Sequence, residues 1–365
     1  MSLKKAEYIE RLVDKKIEEY LIVFGAVSIE GPKWCGKTWA SLNHANSAVF
    51  LDDEETREKA ELSLDLILNN ERPELIDEWN LIPKTWDAIR RKCDDTVNKG
   101  NYILTCSTKL TDEKQKETIH HSGAGRIGRI RMHTMSLYES GDSTGKVSIQ
   151  DMFNGKLENQ LNEKVTLEKL ASLIIRGGWP SNIKVPKDKI GIIPKGYIDA
   201  IIEKDINDDK KRDKNKMVML LRSLARNETT IVNNNTLIKD IEENATGNEL
   251  IESRITIDDY LDVLNRLNII ENQPAYSENY RSPNRVGKSA KRHFTDPSLA
   301  CACLDLTTEK LMDDLRTFGL MFEALVERDL KIYMEYLDGS LYHFRDNITG
   351  LEVDSILEFR DGEYA

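Results

Sequence analysis

No stretch of about eighteen apolar residues occurs anywhere in the chain, so the sequence offers no membrane-spanning helix. The first residues lack the basic-then-apolar pattern of a secretory signal. Cysteine is sparse: Cys35, Cys93, Cys106, Cys301 and Cys303 are scattered, and none forms a C-x-x-C pair. That spacing excludes a zinc ribbon and gives no disulfide framework. An odd cysteine count without an export signal points to a reduced, cytoplasmic setting. Basic excess is lacking too. The formal net charge of −11 argues against broad nonspecific nucleic-acid binding, though a local basic patch stays open. Internal repeats and long low-complexity tracts are also missing. A chain of 365 residues is long enough for two or three domains and buries a core without help from metal or disulfide.

What is present begins with alternation. Residues 6–21 carry apolar side chains at helical spacing. Ala26–Glu30 is short and β-branched, and a Gly-rich turn leads into a helix over 36–44. Ala48–Leu51 reads as a second strand and Glu54–Leu68 as a helix. Leu75–Ile76 ends a third strand at Asp77. A helix opens at Pro83 and runs to about Asn98, and Tyr102–Thr105 is a fourth strand. Strands alternating with helices predict βαβ units and a parallel sheet. Ile127–Met135 is a candidate last strand, and 140–166 reads as a polar connector. From Leu167 the chain turns helical, over 167–175, 194–204, 216–226 and 256–267. Short strands over 269–276 and 293–295 follow, which is a winged-helix-like order. Phe318–Tyr336 is then a helix, with strand-like runs at 341–344 and 351–359 and a hairpin signal at Asp361-Gly362.

The segment Gly31-Pro-Lys-Trp-Cys-Gly36-Lys37-Thr38 fits the pattern G-x-x-x-x-G-K-S/T. Glycines let the backbone wrap a polyphosphate with its N–H groups pointing inward, and the following helix presents its positive end to the same anion. The candidate nucleotide seat comprises Gly31, Pro32, Lys33, Trp34, Cys35, Gly36, Lys37, Thr38 and Trp39. Lys37 is placed to reach the β- and γ-phosphates of ATP, and Thr38 to offer a hydroxyl to Mg²⁺. In Leu75-Ile76-Asp77-Glu78-Trp79 an Asp closes a strand, where it can hold the metal through water. Glu78 is the candidate base that polarises the attacking water. Thr105 or Ser107, at the end of the next strand, senses the γ-phosphate, holds the lytic water, or simply satisfies a strand end. Arg126 and Arg129, with Arg131, lie beyond, as candidates to stabilise charge on the transferring phosphoryl group.

Taken together, GPKWCGKT (31–38), LIDEW (75–79), ILTCST (103–108), HSGAGRIGRIRMHTMSLYE (121–139), RGGWP (176–180), HFTDPSLA (293–300) and FGLMFEALVERDL (318–330) resemble a family of bacterial and archaeal AAA-type ATPases. The resemblance covers essentially the whole chain. It implies an AAA-like P-loop ATPase domain over 1–140, a helical/winged-helix module over 141–305, and an α+β unit over 306–365 similar to PD-(D/E)XK nucleases. It also implies Mg²⁺-dependent ATP hydrolysis coupled to conformational change. The alternative is an ATP-gated switch or adaptor with little turnover. The winged-helix module is then the expected contact for DNA or a protein partner, and oligomers are compatible with the family.

Two departures stand out. Cys106 occupies a position where such strands carry Gly. In the third unit Glu323 and Asp354 match the helix and strand acids of a nuclease-like site, with Glu352 on the same strand face. A strand bearing Glu-x-Lys is expected after Asp361-Gly362, yet the sequence ends at Ala365, so this unit is expected to be incomplete and without nuclease activity. Glu358-Phe-Arg360 lies before that turn and is rejected as a substitute. Arg281, Arg285, Lys288, Lys291 and Arg292 fall where a basic wing would lie, and contact with DNA phosphates competes there with a solvated loop.

Overall fold

The computed structural model describes residues 3–95, 97–110, 117–156, 164–204, 206, 212–242, 254–277, 290–346 and 349–365. The chain divides into two compact units, one of residues 1–134 with Arg266–Asn268, the other of 135–265 with 269–365. Residues 141–305 and 306–365, expected as separate units, thus fall into a single one.

The first unit is built on a five-stranded, wholly parallel sheet in the order β2-β3-β4-β1-β5. Its strands are β1 (Ala26–Glu30), β2 (Ser47–Phe50), β3 (Glu74–Asp77), β4 (Tyr102–Cys106) and β5 (Ile127–Arg131). Strand β1, between β4 and β5, is buried from Ala26 to Ile29, as a strand covered on both faces must be. One face packs Ile76, Tyr102 and Leu104 with Trp86 and Ile89 of α4 (Lys84–Asp94). The other packs Val27, Ile29, Leu75 and Ile103 with Ile17 of α1 (Leu12–Val23) and Ala40 of α2 (Lys37–His44). Helix α1 starts six residues later than its periodicity predicts. The Asp14 carboxylate accepts the Arg11 N–H at 2.7 Å and the Tyr8 hydroxyl at 2.8 Å, and this fixes the start of the helix at Leu12. Helix α3 (Glu54–Leu62) ends before 68, because Ser63 is extended (φ −161°) and a 3₁₀ turn takes over at Leu64–Leu66.

The second unit opens with the short α5 (Ile149–Phe153), a helix inside the stretch expected to be connector. It continues through α6 (Leu167–Arg176), α7 (Ile192–Glu203), α8 (Lys214–Arg226), α9 (Asn234–Glu242) and α10 (Arg254–Arg266). An antiparallel ribbon of β6 (Ile270–Gln273) and β7 (Lys291–Phe294) follows. Next come α11 (Pro297–Cys303), α12 (Thr308–Asp313), the 22-residue α13 (Leu315–Tyr336) and the hairpin β8 (Ser340–Arg345) and β9 (Glu352–Glu358). Helix α11 packs on α6, α7 and α8, while α12 and α13 pack on α6, which is why residues beyond 306 do not separate from the helical module. After the Asp361-Gly362 turn the chain does turn back: Leu357 and Ala365 exchange backbone hydrogen bonds of 2.7 and 2.9 Å. Most of the expected basic wing lies outside the described residues. Its described members face inward, since Arg292 donates to Asn234 at 2.8 Å and Lys291 is 1% exposed, so these two do not form a solvent-facing basic patch.

Candidate active site

The phosphate loop hangs from the carboxyl end of β1. A Cβ on Gly31 would fall 2.1 Å from the Met132 carbonyl oxygen, so only glycine allows the loop to start this close to the chain leaving β5. Gly36 (φ +104°) turns the chain into α2, whose first-turn amides have no intrahelical acceptor and face the loop. Lys37 is 5% exposed, and its ammonium reaches back to the carbonyl oxygens of Gly31 (3.0 Å) and Pro32 (2.8 Å). An ammonium lodged in the cup by two neutral acceptors is poised to exchange them for phosphate oxygens, which bind it more strongly. Cys35 is fully buried in the loop, whereas Trp34 (55% exposed, φ +64°) and Trp39 (42% exposed) stand at its outer side.

Beside the loop, β3 delivers Asp77 and Glu78 and β4 delivers Thr105 and Ser107. The Thr38 hydroxyl donates to Asp77 Oδ1 at 3.0 Å, and the Thr105 hydroxyl donates to the same oxygen at 2.6 Å. The backbone N–H of Glu78 donates to Thr105 Oγ1 at 3.0 Å. Glu78 is itself in the left-handed region (φ +54°, ψ +49°), and its Oε2 accepts from the N–H (3.2 Å) and the hydroxyl (3.0 Å) of Ser107. Thr105 therefore holds Asp77 and Ser107 holds Glu78, a division the sequence left open. Burial pushes the Asp77 carboxyl above its ordinary range. The hydroxyl bonds from Thr105 and Thr38 pull the other way, and the charges of Glu78 and Asp52 add to the rise. Neither acid has a salt-bridge partner among the described residues. A threonine hydroxyl and a buried carboxylate converging on one point suit a hard divalent cation with oxygen ligands, as Mg²⁺ requires.

The candidate arginines are not brought to this point. Arg126 precedes the amino end of β5, at the end of the sheet opposite the loop, and pairs with Asp94 at 2.8 Å. Arg129 lies mid-strand with its guanidinium 4.9 Å from the centre of the Trp86 ring. Only Arg131 sits at the carboxyl end of β5, in register with Glu30. A different arginine does touch the loop. Arg11 donates to the carbonyl oxygens of Cys35 (2.8 Å), His133 (3.0 Å) and Thr134 (3.0 Å). No sequence signal marked it, because it stands in extended chain just before α1, far from any motif.

The second unit gathers charges of its own. Lys291 Nζ bridges Glu323 (3.0 Å) and Asp354 (2.9 Å), so the two acids expected of a nuclease-like site do meet, with an ammonium between them. Burial works against the charge on Lys291, but the bonds to Asp354 and Glu323 outweigh it and raise its pKa. Glu352 pairs instead with Arg345, at 3.8 Å. Among the described residues no group of three or more His, Cys, Asp or Glu is arranged to hold a metal. The remaining family-like motifs interlock. Asp296 accepts from Gly178 N–H (2.9 Å) and Arg328 (3.0 Å), Trp179 Nε1 donates to Ser298 (2.9 Å), and Arg328 pairs with Asp329 at 2.7 Å. Trp179 is fully buried against Tyr197, so RGGWP, HFTDPSLA and the ERDL stretch act as one structural joint.

Residues 23–141 match the family model described as an AAA domain, and residues 167–310 match one described as a domain of unknown function (DUF8612). No curated protein matches the chain. Among solved structures, the Walker-type ATPase PABY2304 of Pyrococcus abyssi is similar with a TM-score of 0.53 and 13% identity, over 83% of this chain and 98% of that one. The ADP form of the Aeropyrum pernix ORC2 protein matches with a TM-score of 0.35 and 12% identity, over 88% of this chain and 98% of that one. Residues 23–141 are thus similar to an AAA domain, and the fold is α/β of the P-loop NTPase kind. No helix among the described residues is long and apolar enough to cross a membrane.

Proposed function

We propose that this chain binds ATP with Mg²⁺ in the loop Gly31–Thr38 and hydrolyses it, and that the change of bound state drives a conformational change in the protein. The observation that carries the reading is the continuous chain of hydrogen bonds Thr38–Asp77–Thr105–Glu78–Ser107 at the mouth of the loop. The AAA-domain match supports nucleotide binding in general.

The residues divide the work by their chemistry. The loop amides and Lys37 hold the phosphates and cancel their charge. Thr38 and Asp77 are the residues that would hold the metal. Mg²⁺ at these residues would supply positive charge to offset the charge that develops on the transferred group. Glu78 takes the proton of the attacking water, and Ser107 fixes the orientation of its carboxylate. The exposed indoles Trp34 and Trp39 flank the loop on the side open to the rest of the nucleotide.

The test is titration of wild type and Lys37→Ala with ATP and Mg²⁺, by calorimetry, with phosphate release followed in parallel. Wild type is expected to bind and turn over, and the variant to lose both. Equal affinity in the two proteins would remove the site assignment.

A further inference from the structure

The loop that carries Ser107 is held by a segment far away in sequence. Arg266–Asn268 runs from the last residue of α10 toward β6, yet it clusters with the nucleotide-site unit. The Arg266 carbonyl oxygen accepts the Lys109 N–H at 3.0 Å. The Asn268 side-chain amide donates to the Ser107 carbonyl oxygen at 3.2 Å. Asn268 is 1% exposed and left-handed (φ +55°), a conformation asparagine tolerates better than other residues with a side chain. Leu267, 4% exposed, anchors the segment between these two bonds. Ser107 and Lys109 are therefore pinned from one side, while the N–H and hydroxyl of Ser107 both point at Glu78 Oε2.

We propose that Asn268 is a positioning residue for the hydrolytic site: it fixes Ser107, and through Ser107 the carboxylate of Glu78. The proposal rests on the ATP-hydrolysis reading above and names a residue of that same site which no motif marks. Its physical basis is tolerance. Ser107 meets Glu78 through one backbone and one side-chain donor, so a shift of the Ser107 peptide moves both bonds at once. A misplacement of about 1 Å at such a centre costs about a hundredfold in rate. Asn268 acts on the site through the Ser107 carbonyl, so nucleotide affinity is expected not to depend on it.

Asn268→Asp keeps the shape and the left-handed backbone but sets an oxygen against the Ser107 carbonyl. Asn268→Gly keeps the backbone and removes the group. Both are expected to lower kcat by about ten- to a hundredfold, while the affinity for a non-hydrolysable ATP analogue stays within twofold of wild type. Hydrogen–deuterium exchange of the 103–109 peptide, read without nucleotide, is expected to speed up in both. In a cycle with Ser107→Ala, the double variant is expected to lose less than the product of the single losses, because the two residues act in series.

Unchanged kcat with unchanged exchange overturns the proposal, as does a loss of analogue affinity that matches the loss of kcat. Should Asn268→Asp not fold, Asn268→Gly and the Ser107→Ala cycle decide it. Wild type that hydrolyses no ATP removes the ATPase reading and this proposal together, whereas active wild type with active variants removes the proposal alone.

Discussion

Two polar clusters in this chain treat their carboxylates in opposite ways. At the phosphate loop, Asp77 and Glu78 are held by hydroxyls and amides: Thr38, Thr105 and Ser107. In the second unit each carboxylate of the cluster has a cation. Lys291 serves Glu323 and Asp354, His293 serves Glu228 and Glu327, Arg328 serves Asp296 and Asp329, and Lys331 serves Glu271. The first cluster orients its carboxylates with neutral donors, and no salt bridge joins them to a cation among the described residues. The second neutralises itself, and Lys291 stands between the two acids that a nuclease-like site would offer to a metal. Neutral donors thus hold the carboxylates in one region, and cations hold them in the other.

The strongest way to break the comparison is to remove the reactive acid from the open cluster. Glu78→Gln keeps the shape and the bonds to Ser107 but cannot take a proton. Phosphate release is expected to fall by about 10²–10⁴-fold, with ATP affinity retained, as read by a coupled phosphate assay beside calorimetry. If wild type binds ATP and releases no phosphate above background, the ATP-gated switch becomes the better reading. Next in size is the closed cluster. Arg328→Met strands Asp296 and Asp329 in the interior, where an uncompensated charge costs about 3–5 kcal/mol. Urea unfolding is the measurement, and a change under about 1 kcal/mol would mean the cluster is not self-neutralised as described.

A pair of isosteric changes sharpens the contrast. Burial raises the folded-state pKa of Asp77 above its unfolded value, so its ionised form costs stability as pH rises through that folded pKa. Asp77→Asn is therefore expected to hold or raise the thermal midpoint at neutral pH without nucleotide. Asp296→Asn, which weakens bonds to Gly178 N–H and Arg328, is expected to cost about 1.5–3 kcal/mol. Equal losses in both variants would erase the distinction.

How much of this was legible follows from where each signal resides. The five parallel strands and the loop were readable because burial on both faces forces continuous apolar runs and because Gly31 and Gly36 meet strict backbone demands. The placement of Asp77 and Glu78 beside the loop was readable from their position at a strand end. The roles of Thr105 and Ser107 were not, since both hydroxyls end the same strand and only the side-chain geometry separates them. Arg11 and Asn268 were invisible for a related reason: they act on the loops through carbonyl oxygens, which any sequence supplies. The ion pairs of the second unit join residues up to 110 positions apart, and a sequence without coordinates does not say which acid meets which base. For that reason Lys291 read as part of a basic wing and turned out to be a buried counter-ion.

The smallest expected effect tests whether the closed cluster depends on charge at all. His293 Nδ1 lies 2.9 Å from Glu327 Oε2 and 3.3 Å from Glu228 Oε1, while Nε2 lies 3.3 Å from Gln273 Oε1. Both ring nitrogens face acceptors, an arrangement suited to the imidazolium. Burial opposes that charge, but the bonds to Glu228 and Glu327 outweigh it and lift the pKa from 6.5 to about 9. Because the folded value lies above the unfolded one, His293 contributes its full stabilisation below 6.5 and loses it as pH rises through about 9. Glu228 pulls in the same direction, since burial raises its pKa despite the bond to His293. Wild type should therefore lose stability steadily between neutral pH and pH about 9, where other groups change little. His293→Gln can still donate to one carboxylate, but it carries no proton to lose. Its thermal midpoint is expected to be lower at neutral pH and flatter across the same window, whereas parallel pH curves for the two proteins would mean that the histidine is buried neutral and that shape, not charge, holds Glu228 and Glu327 in place.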